Sequence, residues 1–126
     1  MTAIEVVRRY WALMASNNFK SVGTVLSDEY TLDWPQSGER IRGKHNFASM
    51  NEEYLANGPW QFTVNRIVGN DSEVVTDVSV TDGVQRARVI SFFTVANGKI
   101  DRQVEFWPEP YPARENRTHL VERMEQ

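Results

Sequence analysis

The chain has 126 residues, 40% of them hydrophobic, with 14 basic against 17 acidic side chains and a net charge of −3. That is room for one domain with a real core, and it excludes the basic footprint of a nucleic-acid binder. There is no cysteine, hence no disulfide framework, thiol nucleophile or thiolate metal site. No apolar run approaches the roughly 20 residues of a membrane span, and no signal-peptide core precedes the first helix, so a cytoplasmic location is expected.

Thr2 reads as the N-cap of a four-turn helix, with Glu5 completing a capping box. Ile4, Val7, Trp11 and Met14 repeat at helical spacing, and Val6, Tyr10 and Leu13 widen the stripe to about half the circumference. So broad a stripe needs more than one neighbour to bury it. Asn17-Asn18 breaks this helix, and Phe19 to Leu26 makes a shorter second one. Tyr30 to Trp34 alternates as a strand stopped by Pro35, and Glu39 to Arg42 returns after the Gln36-Ser37-Gly38 turn. Gly43 precedes a third helix with Phe47, Met50 and Tyr54 on one face, ended by Asn57-Gly58-Pro59.

From Trp60 the period changes to two. Trp60–Val68, Glu73–Thr81, Gln85–Ala96 and Lys99–Trp107 read as strands. Asp82-Gly83 and Asn97-Gly98 are two-residue hairpin signals, since a type I′ turn needs positive φ at both central positions. Helices first and an antiparallel meander second argue an α+β fold with helices on one face of a curved sheet. Residues 108–126 form a tail: a proline-stiffened crossing and a short helix over Ala113 to Glu125 carrying Leu120, Val121 and Met124.

The stretches RRYWALMASNNFKSVGTVLSDEYTLDWP, GKHNF and FFTVANGKIDRQVEFW, in this order, resemble the nuclear transport factor 2-like superfamily, in its SnoaL-like and ketosteroid-isomerase-like branch. The resemblance spans about Val6 to Trp107. It implies a single domain over residues 1–126: a cone-shaped, cystatin-like roll with three N-terminal helices in the concave face of a mostly antiparallel sheet. It further implies an apolar pocket and a homodimer through the outer sheet face. Members include isomerases, cyclases, dehydratases and epoxide hydrolases working without cofactors, and also non-enzymatic binders. Fold alone therefore leaves function open. Tyr10 takes the place of the isomerases' oxyanion-donating tyrosine. Trp34 stands where their general-base aspartate is expected, and Ser91 where the second aspartate falls. Steroid-type isomerisation by that arrangement is not expected.

Strand parity puts Gln103, Glu105 and Trp107 on one face of the last strand and Val104 and Phe106 on the other. The resemblance turns the first set inward, making Glu105 a carboxylate among aromatics and the first candidate for an acid or base. The competing reading is a Glu that reaches solvent or pairs with Arg66, Arg86 or Arg88. Asp33 has the opposite parity to Trp34 and is expected outside or at the turn. His45, in the first turn of the third helix, is an accessory base candidate at a pocket mouth or an ordinary surface histidine. His119 is expected to be exposed; two histidines so far apart carry no metal signature, and no metal or cofactor is expected.

Trp11, Trp34, Trp60, Phe62, Phe93 and Trp107, with Ser91 and Gln103, are the candidate ligand-binding residues, suited to a flat apolar molecule. Ile90, Phe92, Val104 and Phe106 give the sheet a second apolar face that a symmetric partner would cover. Two functions are carried forward. One is an acid–base enzyme (isomerase, cyclase or dehydratase type) acting on a small apolar carbonyl or ring compound. The other is a non-catalytic binder of a small hydrophobic ligand, or a dimeric interaction domain whose cavity is filled.

Overall fold

A computed structural model describes residues 1–124. The first helix, α1 (Ala3–Ala15), starts on the expected capping box: the Glu5 amide donates to Thr2 Oγ1 at 3.1 Å and the Thr2 amide to Glu5 Oε1 at 2.8 Å. Its inner face buries Ala3, Val6, Val7, Tyr10, Trp11 and Met14. Asn17, at φ 61°, ends it in the left-handed region and clamps the chain far ahead: its side chain donates to the Trp60 carbonyl and accepts from the Trp60 amide, both at 2.8 Å. The second helical stretch, Phe19–Val25, is a 3₁₀ helix rather than an α-helix.

Strands β1 (Leu26–Trp34) and β2 (Glu39–Arg42) form a hairpin, and α2 (Lys44–Glu53) follows. Then come β3 (Gln61–Gly69), β4 (Glu73–Thr81), β5 (Arg86–Ala96) and β6 (Lys99–Phe106). They make one six-stranded sheet in the order β2-β1-β6-β5-β4-β3, with β1 beside β6 as its parallel pair. That pairing decides the site, because it sets Leu32 opposite Gln103 and so brings the inward residues of an early strand against those of the last. The buried apolar residues of α1, the 3₁₀ helix, α2 and the sheet's inner face form one core.

The two hairpin signals resolve differently. Asn97 (φ 53°) and Gly98 (φ 73°) join Ala96 to Lys99 with both residues in the positive region a type I′ turn requires. The second signal is corrected: Thr81 pairs with Arg86, so Asp82–Gln85 is a four-residue loop, and within it only Gly83 has positive φ. The physical reason is the Asp82 carboxylate, which accepts from the amides of Val84 and Gln85 and reaches the Asn57 amide at 2.8 Å. It thus fastens the loop after α2 to the β4–β5 turn. Burial would raise its pKa, but hydrogen bonds from Asn57, Val84 and Gln85 outweigh that and hold it well below the ordinary 3.8. A depressed carboxyl stabilises the fold above its unfolded value and loses that contribution as pH falls through its folded value. The thermal-midpoint gap between wild type and Asp82→Ala is therefore expected to be constant from about pH 5 to 8 and to shrink below about pH 4; a gap independent of pH would remove this role.

The tail is also corrected. In place of a helix from Ala113 to Glu125 there is one 3₁₀ turn, Glu115–Leu120, and Leu120, Val121 and Met124 are exposed. Glu125 lies outside the described residues. The accessible surface is 8895 Å², about 2,000 Å² above what mass scaling gives for a compact monomer of this size. No helix is long and apolar enough to cross a membrane.

Candidate functional site

Between α1, α2 and the open end of the sheet lies a cavity of about 680 Å³. All four tryptophans of the chain, Trp11, Trp34, Trp60 and Trp107, line it, together with Phe62 and Tyr10. Each ring arrives for a local reason. Tyr10 and Trp11 are neighbours at the centre of α1's buried stripe, and Trp11 Nε1 donates to the buried Thr76 hydroxyl at 3.2 Å. Trp60 is held by the Asn17 clamp. Trp34 follows Tyr30 and Leu32 on the inward parity of β1. Trp107 is placed by Gln36, whose amide nitrogen donates to the Trp107 carbonyl at 3.3 Å and whose oxygen accepts from the Trp107 amide at 2.5 Å.

The polar end of the cavity is built around Glu105, which is only 4% exposed. Its Oε1 accepts from Trp34 Nε1 at 3.0 Å, and its Oε2 accepts from Ser91 Oγ at 2.8 Å and Gln103 Nε2 at 2.7 Å. Among the described residues no cation pairs with it. Burial pushes its pKa up; the bonds from Trp34, Ser91 and Gln103 pull the other way without cancelling that. The result is a carboxyl poised to exchange a proton nearer neutrality than a surface glutamate.

Gln103, fully buried, extends this network. Its Nε2 also reaches the Tyr10 hydroxyl at 3.2 Å, and its Oε1 accepts from the Tyr30 hydroxyl at 2.6 Å. Burial, with the Glu105 charge nearby, drives the Tyr10 pKa well above 10, so the phenol keeps its proton. Among the described residues that proton has no acceptor. The cluster therefore leaves one donor uncommitted, the Tyr10 O–H, and one carboxylate oxygen, Glu105 Oε1, with a single partner. Both side chains line the cavity.

Of the expected site residues, the structure brings together Glu105, Tyr10, Trp11, Trp34, Trp60, Phe62 and Trp107 around the cavity, with Ser91 and Gln103 directly behind Glu105. Phe93 is 0% exposed and packs edge-on against Tyr10, with ring centroids 5.2 Å apart; it supports the wall without reaching the cavity. His45 is not brought in. It lies on the exposed side of α2, in a separate open groove with Lys20, Lys44 and Glu52, because Phe47 and Ala48 are the positions α2 turns inward. Asp33 faces outward, held by Arg40 at 2.6 and 2.9 Å and by Arg102 at 3.4 Å. Of the arginines weighed as partners for Glu105, Arg88 is taken by Asp77, and Arg86 lines the cavity without pairing with the carboxylate.

Sequence reasoning missed Tyr30 as part of the site and the rim residues Gln36, Gln85 and Glu109, and it weighed Arg86 only as an ion-pair partner and Tyr54 only as part of a helix face. Tyr30 was legible by parity, two residues before Leu32 on the inward face. Gln36, Gln85 and Glu109 come from turns and loops, for which no periodicity exists. No three His, Cys, Asp or Glu side chains among the described residues are grouped to hold a metal ion.

A family model described as SnoaL-like domain matches residues 7–103. A crystal structure of a candidate ketosteroid isomerase from Kribbella flavida is 30% identical, with a TM-score of 0.88 over 97% of this chain and 89% of that one. A nuclear transport factor 2-like protein of unknown function from Burkholderia xenovorans is 26% identical, with a TM-score of 0.79 over 96% and 94%. An epoxide hydrolase of M. tuberculosis, 21% identical with a TM-score of 0.68 over 84% and 82%, shares the fold. No curated protein matches.

Proposed function

This chain belongs to the SnoaL-like domain family, and from that premise we propose that it is an acid–base enzyme acting on a small, largely apolar carbonyl or ring compound. The observation that carries the reading is the pairing at the cavity's polar end: a buried carboxyl without a cation, beside a phenol whose proton is unclaimed. A carbonyl oxygen accepts from Tyr10. The Glu105 carboxylate removes a proton from the adjacent carbon. The C–H electron pair forms a carbon–carbon double bond, and the carbonyl π pair moves to oxygen, where the Tyr10 O–H stabilises the charge. In a β,γ-unsaturated ketone the electrons of the dienolate extend to the γ-carbon, which takes the proton back from Glu105 as the α,β double bond and the carbonyl form, completing an isomerisation. In a β-hydroxy ketone the enolate expels the hydroxyl, which leaves as water with the proton from Glu105, completing a dehydration. Trp11, Trp34, Trp60, Phe62 and Trp107 hold the ring in place and exclude water. The similarity to a protein described as a candidate ketosteroid isomerase supports this class of chemistry.

The test is exchange of the α-hydrogens of 2-tetralone and related cyclic ketones in D₂O, followed by proton NMR. Exchange well above the buffer rate, and rising with pH through the Glu105 titration, is expected; no exchange across such a panel would sink the reading. A second reading, a non-catalytic binder, draws on one observation. The positions that the family resemblance gives to two aspartates hold Trp34 and Ser91, and both spend their protons on Glu105. It predicts saturable tryptophan quenching by apolar ligands without exchange.

Assembly belongs to the same proposal. On the outer face Phe92 is 43% and Phe106 37% exposed, with ring centroids 6.1 Å apart, and Ile90 and Val104 adjoin them. The pairs Arg88–Asp77 and Arg102–Asp33 flank this strip. A second copy laid across it gives a homodimer. Sedimentation at micromolar concentration is expected to show a species of about 30 kDa, weakened by Phe92→Arg; a stable monomer would rule the dimer out.

A further inference from the structure

The hydrogen bonds behind the cavity obey a proton count. Trp34 and Ser91 give one proton each to Glu105, Gln103 gives one to Glu105 and one to Tyr10, and Tyr30 gives one to Gln103 Oε1. Every donor but Tyr10 is thereby spent. The direction of the whole chain of bonds depends on which way the Gln103 amide faces. An amide can be turned over with little change of shape, exchanging its oxygen for its nitrogen. Turned over here, Gln103 would set its carbonyl oxygen within hydrogen-bond distance of Glu105 Oε2, two acceptors face to face. Only a proton on Glu105 would relieve that contact. Tyr10 would meanwhile find an acceptor in the same amide oxygen and turn its proton away from the cavity.

Tyr30 stands at the far end of this choice. It is 0% exposed, does not line the cavity, and rests edge-on against Phe47 at a centroid distance of 5.7 Å. Burial drives its pKa well above 10, with Tyr10 and the Glu105 charge adding to the effect, so its hydroxyl remains a donor. The hydroxyl's one hydrogen bond among the described residues is the 2.6 Å contact to Gln103 Oε1. The register that aligns Leu32 with Gln103 across the parallel β1–β6 pair makes that contact possible from Tyr30, two residues earlier.

We infer that Tyr30 is the positioning residue of this site: by holding the Gln103 oxygen, its hydroxyl commits the amide protons to Tyr10 and Glu105, and so keeps the Tyr10 proton directed into the cavity and Glu105 a proton acceptor. Amide orientation and Glu105 protonation are then linked, each biasing the other. The assignment rests on the acid–base reading for its purpose but not for its test. The titratable and charged groups that share the cavity with Glu105 are Tyr10, Tyr54, Arg86 and Glu109, with Tyr30 behind Gln103.

The experiment is a pH titration by NMR of the full chain labelled with δ-¹³C glutamate, ¹⁵N glutamine and ζ-¹³C tyrosine, with Glu105 assigned from Glu105→Gln. Tyr30→Phe removes one hydroxyl and little volume. It is expected to raise the Glu105 midpoint by about 0.5–1 pH unit, a three- to tenfold change in its acid constant. In a Gln103→Leu background the same change should move the midpoint no further, because the link is gone. A Tyr30→Phe midpoint equal to wild type, or an equal shift in both backgrounds, would overturn the assignment. Should Tyr30→Phe fail to fold, the wild-type protein still decides. The Gln103 side-chain amide and Tyr30 Cζ signals are expected to move with the Glu105 midpoint, and a Tyr30 signal flat through that titration overturns the inference. Absence of ketone exchange with this linkage intact would sink the proposed reaction alone.

Discussion

Glu105→Gln is expected to cut turnover by about 10³-fold or more while the cavity still takes its ligand, since a positioned acid–base group contributes on the order of 10²–10⁴. An amide has no basic oxygen near neutral pH and cannot accept the substrate proton. The aromatic wall that supplies the binding is untouched. Tryptophan quenching by a tight-binding ketone should therefore persist, and α-hydrogen exchange should vanish. The wild-type rate should rise with pH through a midpoint above the ordinary 4.5, because burial raises the carboxyl and the working form is the ionised one. The sign for stability is opposite. A carboxyl raised in the folded state favours folding at low pH and loses that contribution as pH rises through its folded value. The substitution is not silent structurally, however. Three donors converge on two carboxylate oxygens, and an amide offers one oxygen. If it takes the Ser91 and Gln103 side, the Trp34 N–H loses its partner, at a cost of about 1–3 kcal/mol. Folded protein with unchanged exchange would show that another group is the base.

Phe93→Ala carries the largest expected loss of stability. The ring is fully buried beneath Tyr10 and Trp11, with centroid distances of 5.2 and 6.4 Å. Emptying such a position costs about 3–5 kcal/mol through lost burial and the void left behind. For a chain of this length each kcal/mol lowers the melting temperature by about 4 °C, so a drop of roughly 12–20 °C is expected by calorimetry. Ligand affinity should fall as well, because Tyr10 and Trp11 lose the surface that fixes their orientation. A melting temperature within a few degrees of wild type would mean that the wall rests on something else.

Much of this arrangement is written locally. The capping box at Thr2, the broad stripe of the first helix and the change to a two-residue period at Trp60 are short-range features that need no knowledge of the rest of the chain. Parity did part of the same for the site: alternate residues of a strand must face opposite ways, which groups Gln103 with Glu105 and sets Asp33 opposite Trp34, while which face turns inward was what the family resemblance implied. Where local reading failed, a longer-range contact had overruled it. The Asp82 carboxylate, reaching Asn57 across the fold, converted a two-residue turn signal into a wider loop. His45 has the right chemistry at the right end of a helix, but α2 turns Phe47 and Ala48 to the core and leaves the imidazole outside.

Which face turns inward, and hence the choice of Glu105, is what the family resemblance implies; the order of helices and strands and the grouping of Gln103, Glu105 and Trp107 on one face follow from residue spacing, because periodicity is a property of neighbours in the chain. What surrounds Glu105 does not. Trp34 and Tyr30 lie some seventy positions earlier and meet Glu105 and Gln103 only because β1 lies beside β6 in parallel. Whether that carboxyl faced a cation, water or three neutral donors was a matter of which strands became neighbours. Strand adjacency is settled by the packing of the whole core, and a buried group's proton affinity is set by whatever that packing places around it.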